Sequence, residues 1–298
     1  MLDKNTTPVV LALGYFDSVH KGHQKVIKSA KKYAENNGAK TIVYTFQGNL
    51  KSVLGNGEEK VVYTDHEREK IYFELGVDGV EFAPLDAQFL STEKKEFLDL
   101  INKKYNVIAY ACGSDYRFGK SGNGTTDYLI EYAKEKGQEV IVCDILTDGG
   151  EKISSTLIKK LLSEGEVDRA NKLLGRAYSV SGVVVRDRQI GKTLGFPTLN
   201  VKLDSQKERL LDGVYSGFSV VDGIKYLAII NYGARPTFNL NEKLVEAHLI
   251  GFNGNLYGEE VVVHFNEFIR GVKKFDSEKQ LIEQITQDLK FVKGRNYD

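Results

Sequence analysis

The sequence predicts an α/β domain built on a parallel sheet, followed by an antiparallel β-barrel domain that carries one C-terminal helix. Three observations predict this. Up to about residue 175, short apolar runs alternate with amphipathic stretches, the rhythm of βαβ units. Beyond Arg176 the period changes to two, with polar or Gly-containing turns between strand-like runs. The length of 298 residues suits two domains at roughly 100–200 residues each. The expected domains are 1–175 and 176–298.

In the first half, PVVLALG (8–14) reads as a buried strand and GHQKVIKSAKKYAENNG (22–38) as a helix closed by Gly38. TIVYTF (41–46) is β-branched and aromatic, hence a strand, and DHEREKIYFELG (65–76) has helical spacing and a Gly stop. VDGVEFA, STEKKEFLDLINKKY and VIAYACG repeat the strand–helix–strand order, and TTDYLIEYAKEKG with EVIVCDIL continues it. Two short helices, SSTLIKKLLSEG and EVDRANKLLG, close this half. The second half holds YSVSGVVV, GVYSGFSVV, KYLAIINYG, LVEAHLIGF and EEVVVHFNEF as strands, so five or six strands are expected before the final helix SEKQLIEQITQDLKFVKG.

Composition excludes several classes. Hydrophobic residues make up 41% and charged residues 28%, which fits a globular chain rather than a disordered one. Lys+Arg and Asp+Glu both number 41, so there is no cationic surplus with which to displace counterions from a nucleic acid. No apolar run approaches the ~20 residues of a membrane span, and MLDKNTTP lacks the apolar core of a signal peptide. Cys112 and Cys143 have neither metal spacing nor a disulfide framework. The expectation is a cytoplasmic chain without nucleic-acid or membrane partners, monomeric or weakly homo-oligomeric.

The first strand runs into Gly14-Tyr15-Phe16-Asp17-Ser18-Val19-His20-Lys21-Gly22-His23, and a helix follows at once. Gly14 permits a tight turn off the strand. His20 and His23, three apart at a helix start, share one face. A helix N-terminus presents unpaired N–H groups and partial positive charge, a ready anion site, and Gly22 would let a ligand approach the backbone. Two imidazoles there can donate to a phosphate as charge builds on it, which suits in-line attack on an α-phosphate. Two solvent-facing histidines on an ordinary first helix are the plain alternative.

Later, Ile153-Ser154-Ser155-Thr156-Leu157-Ile158-Lys159 offers hydroxyls, helix N–H groups and a cation to the β- and γ-phosphates. A bare SST triplet is more often a plain N-cap; its place after EVIVCDIL and its partnership with the histidines favour phosphate. The loop 113–120 contains Asp115, two aromatics and two cations, and reads equally as a ligand loop or a structural turn.

In the second half, Gly191-Lys192-Thr193-Leu194-Gly195-Phe196-Pro197-Thr198-Leu199-Asn200 is expected to link two barrel strands. Its glycines allow close approach, and Thr198 and Asn200 alternate onto one face as oxygen ligands for Mg²⁺ on a nucleotide. Asn231 to Phe238 forms a second Gly/Pro-punctuated loop. Glu246 interrupts the apolar alternation of LVEAHLI; an inward-facing carboxylate in a barrel is unusual and suits a general base. The alternative is a Glu246 facing solvent at the strand edge.

GYFDSVHKGH resembles the HxGH signature of the nucleotidyltransferase superfamily, and ISSTLIK resembles its second phosphate motif. GKTLGFPTLN, the GVY strand, GARPTF, EAHL and LYG (256–258) resemble riboflavin kinase in order and spacing. Together they cover nearly the whole chain and resemble the bacterial bifunctional riboflavin kinase/FMN adenylyltransferase, or FAD synthetase, family. The resemblance implies a Rossmann-like nucleotidyltransferase domain before a riboflavin kinase-like barrel. It implies riboflavin phosphorylated by ATP to FMN, then FMN adenylylated to FAD with release of pyrophosphate, with Mg²⁺ required.

By the same resemblance, His20 and His23 serve adenylyl transfer, and Gly14, Phe16 and Asp17 form the nucleotide loop; Gly22 and Asp115 are candidate cofactor-binding residues from their own loops. Ser154, Ser155, Thr156 and Lys159 match the second phosphate motif. Gly191, Lys192, Gly195 and Pro197 shape the kinase nucleotide site, Thr198 and Asn200 hold Mg-ATP, Glu246 is the catalytic base and Arg270 serves the flavin side. The chain departs from the pattern at Ser18, where the family has Gly, at Gln47-Gly48-Asn49-Leu50, where it has Pro-His-Pro, at Lys159, where it has Arg, and at the turns before LYG and after Arg270. These departures keep two alternatives in view: a chain with only one activity, more readily adenylyl transfer, and a flavin-binding regulator without turnover.

Overall fold

The computed structural model describes residues 6–48, 60–186, 195–234 and 243–295. The chain divides into two compact units, Met1–Ser155 and Thr156–Asp298.

In the first unit, β1 (Pro8–Leu13), β2 (Lys40–Phe46), β3 (Gly79–Ala83), β4 (Asn106–Gly113) and β5 (Glu139–Cys143) form one parallel sheet in the order β3-β2-β1-β4-β5. The continuous apolar run PVVLAL makes β1 the centre, since a strand covered on both faces needs no polar alternation. Val9, Leu11 and Leu13 pack with Tyr110 and Cys112 against Phe97, Leu98, Ile101, Leu129 and Tyr132. Those partners come from α4 (Lys94–Lys104) and α5 (Thr126–Glu135), which follow α1 (Lys21–Asn36), α2 (Asp65–Glu74) and the short α3 (Ala87–Ser91) in the chain. Val10 and Ala12 point the other way, and α1 contributes buried Val26, Ile27, Ala30 and Ala34 on that side. The chain reverses direction across the sheet between β1 and β4, so their carboxyl ends open the crevice where such sheets bind ligands.

Both cysteines are buried and free. Gly113 of β4 lies opposite Cys143 of β5, so Cys112 and Cys143 project from opposite faces of the sheet and cannot form a disulfide. Burial pushes the Cys112 thiol up to about 12, which keeps it protonated. A small hairpin, β6 (Thr147–Asp148) with β7 (Glu151–Lys152), turns on Gly149 and Gly150, both at positive φ.

Next come α6 (Ser155–Ser163) and α7 (Val167–Leu174), the latter stopped by Gly175 in the left-handed region. Asn171 of α7 donates to the carbonyls of Phe265 and Asn266 and accepts from the Tyr178 N–H at 2.6 Å. The second unit is then a closed antiparallel barrel of β8 (Tyr178–Val185), β9 (Leu199–Leu203), β10 (Gly213–Val221), β11 (Ile224–Ala234), β12 (Lys243–Leu249) and β13 (Glu260–Gly271). Alternate residues such as Tyr215, Ile230, Tyr232, Val245 and Phe265 fill the interior. Gly217 is required where strands cross closely, because a Cβ there would sit 2.0 Å from the His264 carbonyl oxygen. The last helix, α8 (Glu278–Lys293), lays Val292 against Val214 and Ile229 on the outside of the barrel.

One expected loop segment proves to be a strand. The segment ending at Asn200 was read as a loop, whereas Leu199 and Asn200 open strand β9. Pairing with both β8 and β12 outweighs the low intrinsic strand preference of Asn.

Candidate active sites

The loop leaving β1 is tightly built. A Cβ on Gly14 would meet the Phe16 ring at 2.5 Å, so the glycine is needed for Phe16 to fold back on it. Phe16 (φ 49°) and Val19 (φ 44°) are non-glycine residues in the left-handed region, a conformation held only where the surroundings enforce it. His20 is the N-cap of α1, and its Nδ1 accepts from the His23 N–H at 3.2 Å. Accepting at Nδ1 places the proton of a neutral His20 ring on Nε2. The two imidazoles stack with centroids 3.6 Å apart, and the Phe16 ring meets His23 edge-on at 5.2 Å. The histidines therefore converge at the helix N-terminus, as the spacing predicts.

Two roles change. Gly22 was expected to open the backbone to a ligand; instead its bare side is taken by the His20 ring, whose Cε1 would lie 3.0 Å from an added Cβ. Asp17, expected in the nucleotide loop, is buried and accepts from the Val62 N–H at 3.1 Å, tying the loop to the segment before α2.

The second motif reaches the first. Ser18 is fully buried, and its hydroxyl lies 2.9 Å from that of Ser155, the first residue of α6. Ser154 precedes that helix, Thr156 is exposed in its first turn, and Lys159 stands half-buried one turn on. Asp115 sits in the exposed loop after β4 and forms an ion pair with Lys152. The neighbouring Tyr116 and Phe118 stack at 5.6 Å, and Phe118, Phe97, Phe89 and Phe46 continue an aromatic cluster at this edge of the sheet.

In the barrel, Glu246 of β12 pairs in register with Asn200 of β9 on one side and with Asn231 of β11 on the other, so the three side chains share a face. That face is the outer one. Val245, Ala247 and Leu249 fill the interior, so Glu246 continues the in–out alternation instead of interrupting it, and the expected inward carboxylate is corrected to an outward, half-buried one. His248, two residues on, places Nδ1 2.7 Å from the Pro197 carbonyl, to which it donates, and meets Phe196 edge-on. This anchors the turn Gly195–Thr198 beside Glu246. Gly191 and Lys192, and the loop residues Arg235 to Phe238, lie outside the described residues.

Arg270 was read as a flavin-side cation. It is instead locked to the buried Asp288 of α8, with Nε 3.1 Å from both carboxylate oxygens and a terminal nitrogen at 2.8 Å. Gln284 also donates to Asp288 at 3.1 Å, so this arginine fastens the final helix to the barrel.

A family model described as FAD synthetase matches residues 2–157, and one described as riboflavin kinase matches residues 174–295. Proteins named bifunctional riboflavin kinase/FMN adenylyltransferase are similar along most of their length. That of Listeria monocytogenes is 35% identical, over 94% of this chain and 90% of the relative. Those of Bacillus subtilis and Escherichia coli K12 are 36% and 31% identical over the same shares. The chain belongs to the bifunctional riboflavin kinase/FMN adenylyltransferase family. A solved structure described as a macrolide-efflux protein from Streptococcus pneumoniae has a TM-score of 0.89 and 32% identity, covering 98% of this chain and 95% of its own. No helix among the described residues here is long and apolar enough to cross a membrane.

Three residues outside the motifs read as candidate sites make structural contacts near them: Arg68, His248 and Asp288. Arg68 of α2 is buried, with its guanidinium on the Tyr15 and Phe46 carbonyls. The capping box Thr64/Glu67 that starts α2 is legible as T-x-x-E, but nothing in the helical period marks Arg68. His248 had a signal, its place in the EAHL motif; Asp288, inside the final helix, had none.

Proposed function

We propose that this chain makes FAD in two steps: residues 176–298 transfer the γ-phosphoryl group of ATP to riboflavin, giving FMN and ADP, and residues 1–175 transfer AMP from a second ATP to FMN, giving FAD and pyrophosphate. The observation that supports this is that each unit assembles its own motif. His20 and His23 stack beside a loop that bonds to Ser155, and Glu246 stands in register with Asn200.

In adenylyl transfer, an FMN phosphate oxygen attacks the α-phosphorus while the bond to the pyrophosphate oxygen breaks. The α1 N-terminus and the two imidazoles stabilise the charge on the α-phosphate, and Ser154 and Ser155 receive the leaving phosphates. In the kinase step, Glu246 accepts the proton of the riboflavin 5′-hydroxyl as its oxygen attacks the γ-phosphorus and ADP leaves.

The described residues contain no group of three His, Cys, Asp or Glu side chains that could hold a metal alone. The Thr198 hydroxyl and Asn200 amide oxygen are neutral donors, which fits an Mg²⁺ already carried on ATP phosphates. Bound there, the ion would neutralise phosphate charge. The buried thiols, joined in no disulfide, support a cytoplasmic chain, and the balanced charge supports small-molecule substrates over a nucleic acid.

Isotope tracing tests the proposal. Label from γ-³²P-ATP should enter FMN made from riboflavin, and label from α-³²P-ATP should enter FAD made from FMN. Absence of both transfers would overturn it.

A further inference from the structure

Helix α2 presents Arg68 and Tyr72, four residues apart on one face, to the chain leaving β1. The Arg68 guanidinium donates to the Tyr15 carbonyl at 2.7 Å, to the Phe46 carbonyl at 2.7 Å and to Asp65 at 2.6 Å, with Thr45 Oγ1 at 3.3 Å. It lies between the rings of Tyr15 and Phe82, 5.4 and 5.2 Å from their centroids. Burial works against its charge, but Tyr72 and the hydrogen-bonded Asp65 outweigh that and hold its pKa above the ordinary arginine value. Tyr72 donates to the Phe16 carbonyl at 3.3 Å. Two successive carbonyls, at the strained entry to the histidine loop, are thus gripped by one helix.

The fork also spans two strand ends. Tyr15 follows β1 and Phe46 ends β2, and Thr45 Oγ1 donates to the same Tyr15 carbonyl at 2.7 Å. Asp65 accepts from the Gly48 N–H at 2.9 Å, and the Tyr15 hydroxyl donates to the Gly48 carbonyl at 2.6 Å. Phe16, whose backbone is set by this lattice, is the ring that meets His23. A lysine would keep the charge but could not reproduce planar donation to two carbonyls and a carboxylate at once.

We infer that Arg68 is a positioning residue for adenylyl transfer: by fixing the Tyr15–Phe16 backbone it sets where His23 meets the phosphate. The inference rests on the adenylyltransferase reading of residues 1–175. Misplacement by about 1 Å costs on the order of 100-fold in rate without weakening substrate binding in proportion.

The test uses the full chain and both half-reactions. Wild type forming no FAD from FMN would overturn the underlying reading and this inference with it. Given wild-type turnover, Arg68→Lys should lower kcat for FAD formation by about 10- to 100-fold, with KM for ATP and FMN within about threefold and the riboflavin kinase kcat within about twofold. Added guanidinium should restore FAD formation to Arg68→Ala but not to His23→Ala. If Arg68→Ala fails to fold, Asp65→Asn decides alongside Arg68→Lys, with a smaller fall in the same kcat. Wild-type kcat in Arg68→Lys, a rise in KM at unchanged kcat, or an equal loss in both half-reactions would overturn the inference.

Discussion

The hydroxyls of Ser18 and Ser155 lie 2.9 Å apart, joining the loop after β1 to the first residue of α6 across 137 positions of sequence. Ser18 is fully buried, so its side chain ties the loop that carries the histidines to the start of α6. The pair should couple. In a double-mutant cycle of Ser18→Ala and Ser155→Ala, read on KM for ATP in FAD formation, the two changes should be non-additive by about 0.5–1.5 kcal/mol. Strict additivity would mean the contact does no positioning.

The two sites should fail separately. His23→Ala should reduce FAD formation from FMN by about 100- to 1,000-fold, the cost of one charge-stabilising donor, and leave FMN formation from riboflavin intact. Glu246→Gln should do the reverse, losing about 100- to 10,000-fold in FMN formation only. Parallel assays of both variants on both substrates give four rates. Loss of both activities in either variant would contradict independent sites.

The barrel should weaken in acid through one histidine. His264 stacks on Phe218 at 4.4 Å, and burial, aided by Lys225, lowers its pKa from 6.5 to about 4. The folded-state value is depressed, so the stabilisation is fully present above pH 6.5. Between pH 6.5 and about 4 the unfolded chain takes up a proton that the folded chain refuses, which removes about 3 kcal/mol. Urea midpoints at pH 7 and pH 4.5 should therefore differ less in His264→Gln than in wild type. An unchanged pH dependence would place the acid sensitivity elsewhere.

Arg270 and Asp288 make the prediction most opposed to the sequence reading. Asp288 is 3% exposed, and removing it leaves a largely covered guanidinium without its partner. Asp288→Ala should destabilise the second unit by about 3–5 kcal/mol, measured by denaturant unfolding. A contribution below about 1 kcal/mol would return Arg270 to ligand binding.

How far the fold was legible follows from these residues. The PVVLAL run and the change of period near residue 176 are local signals, and they suffice for sheet, barrel and final helix. His20 and His23 are three apart, so their convergence is also local. Glu246 was visible as an unusual residue, but its side of the barrel depends on which neighbours face inward, and Ala247 is small enough to look neutral in sequence. Arg68, His248 and Asp288 act through tertiary contacts with Tyr15, Pro197 and Arg270, partners that no spacing rule connects.

Chromatography of flavin products over time, from two parallel reactions of wild type with ATP and Mg²⁺, tests the central claim most directly. Started from riboflavin, the reaction should show FMN rising first and FAD following; started from FMN, it should show FAD and pyrophosphate in equal amounts. A chain that forms FMN but never FAD, FAD but never FMN, or neither product would contradict an enzyme that performs both steps.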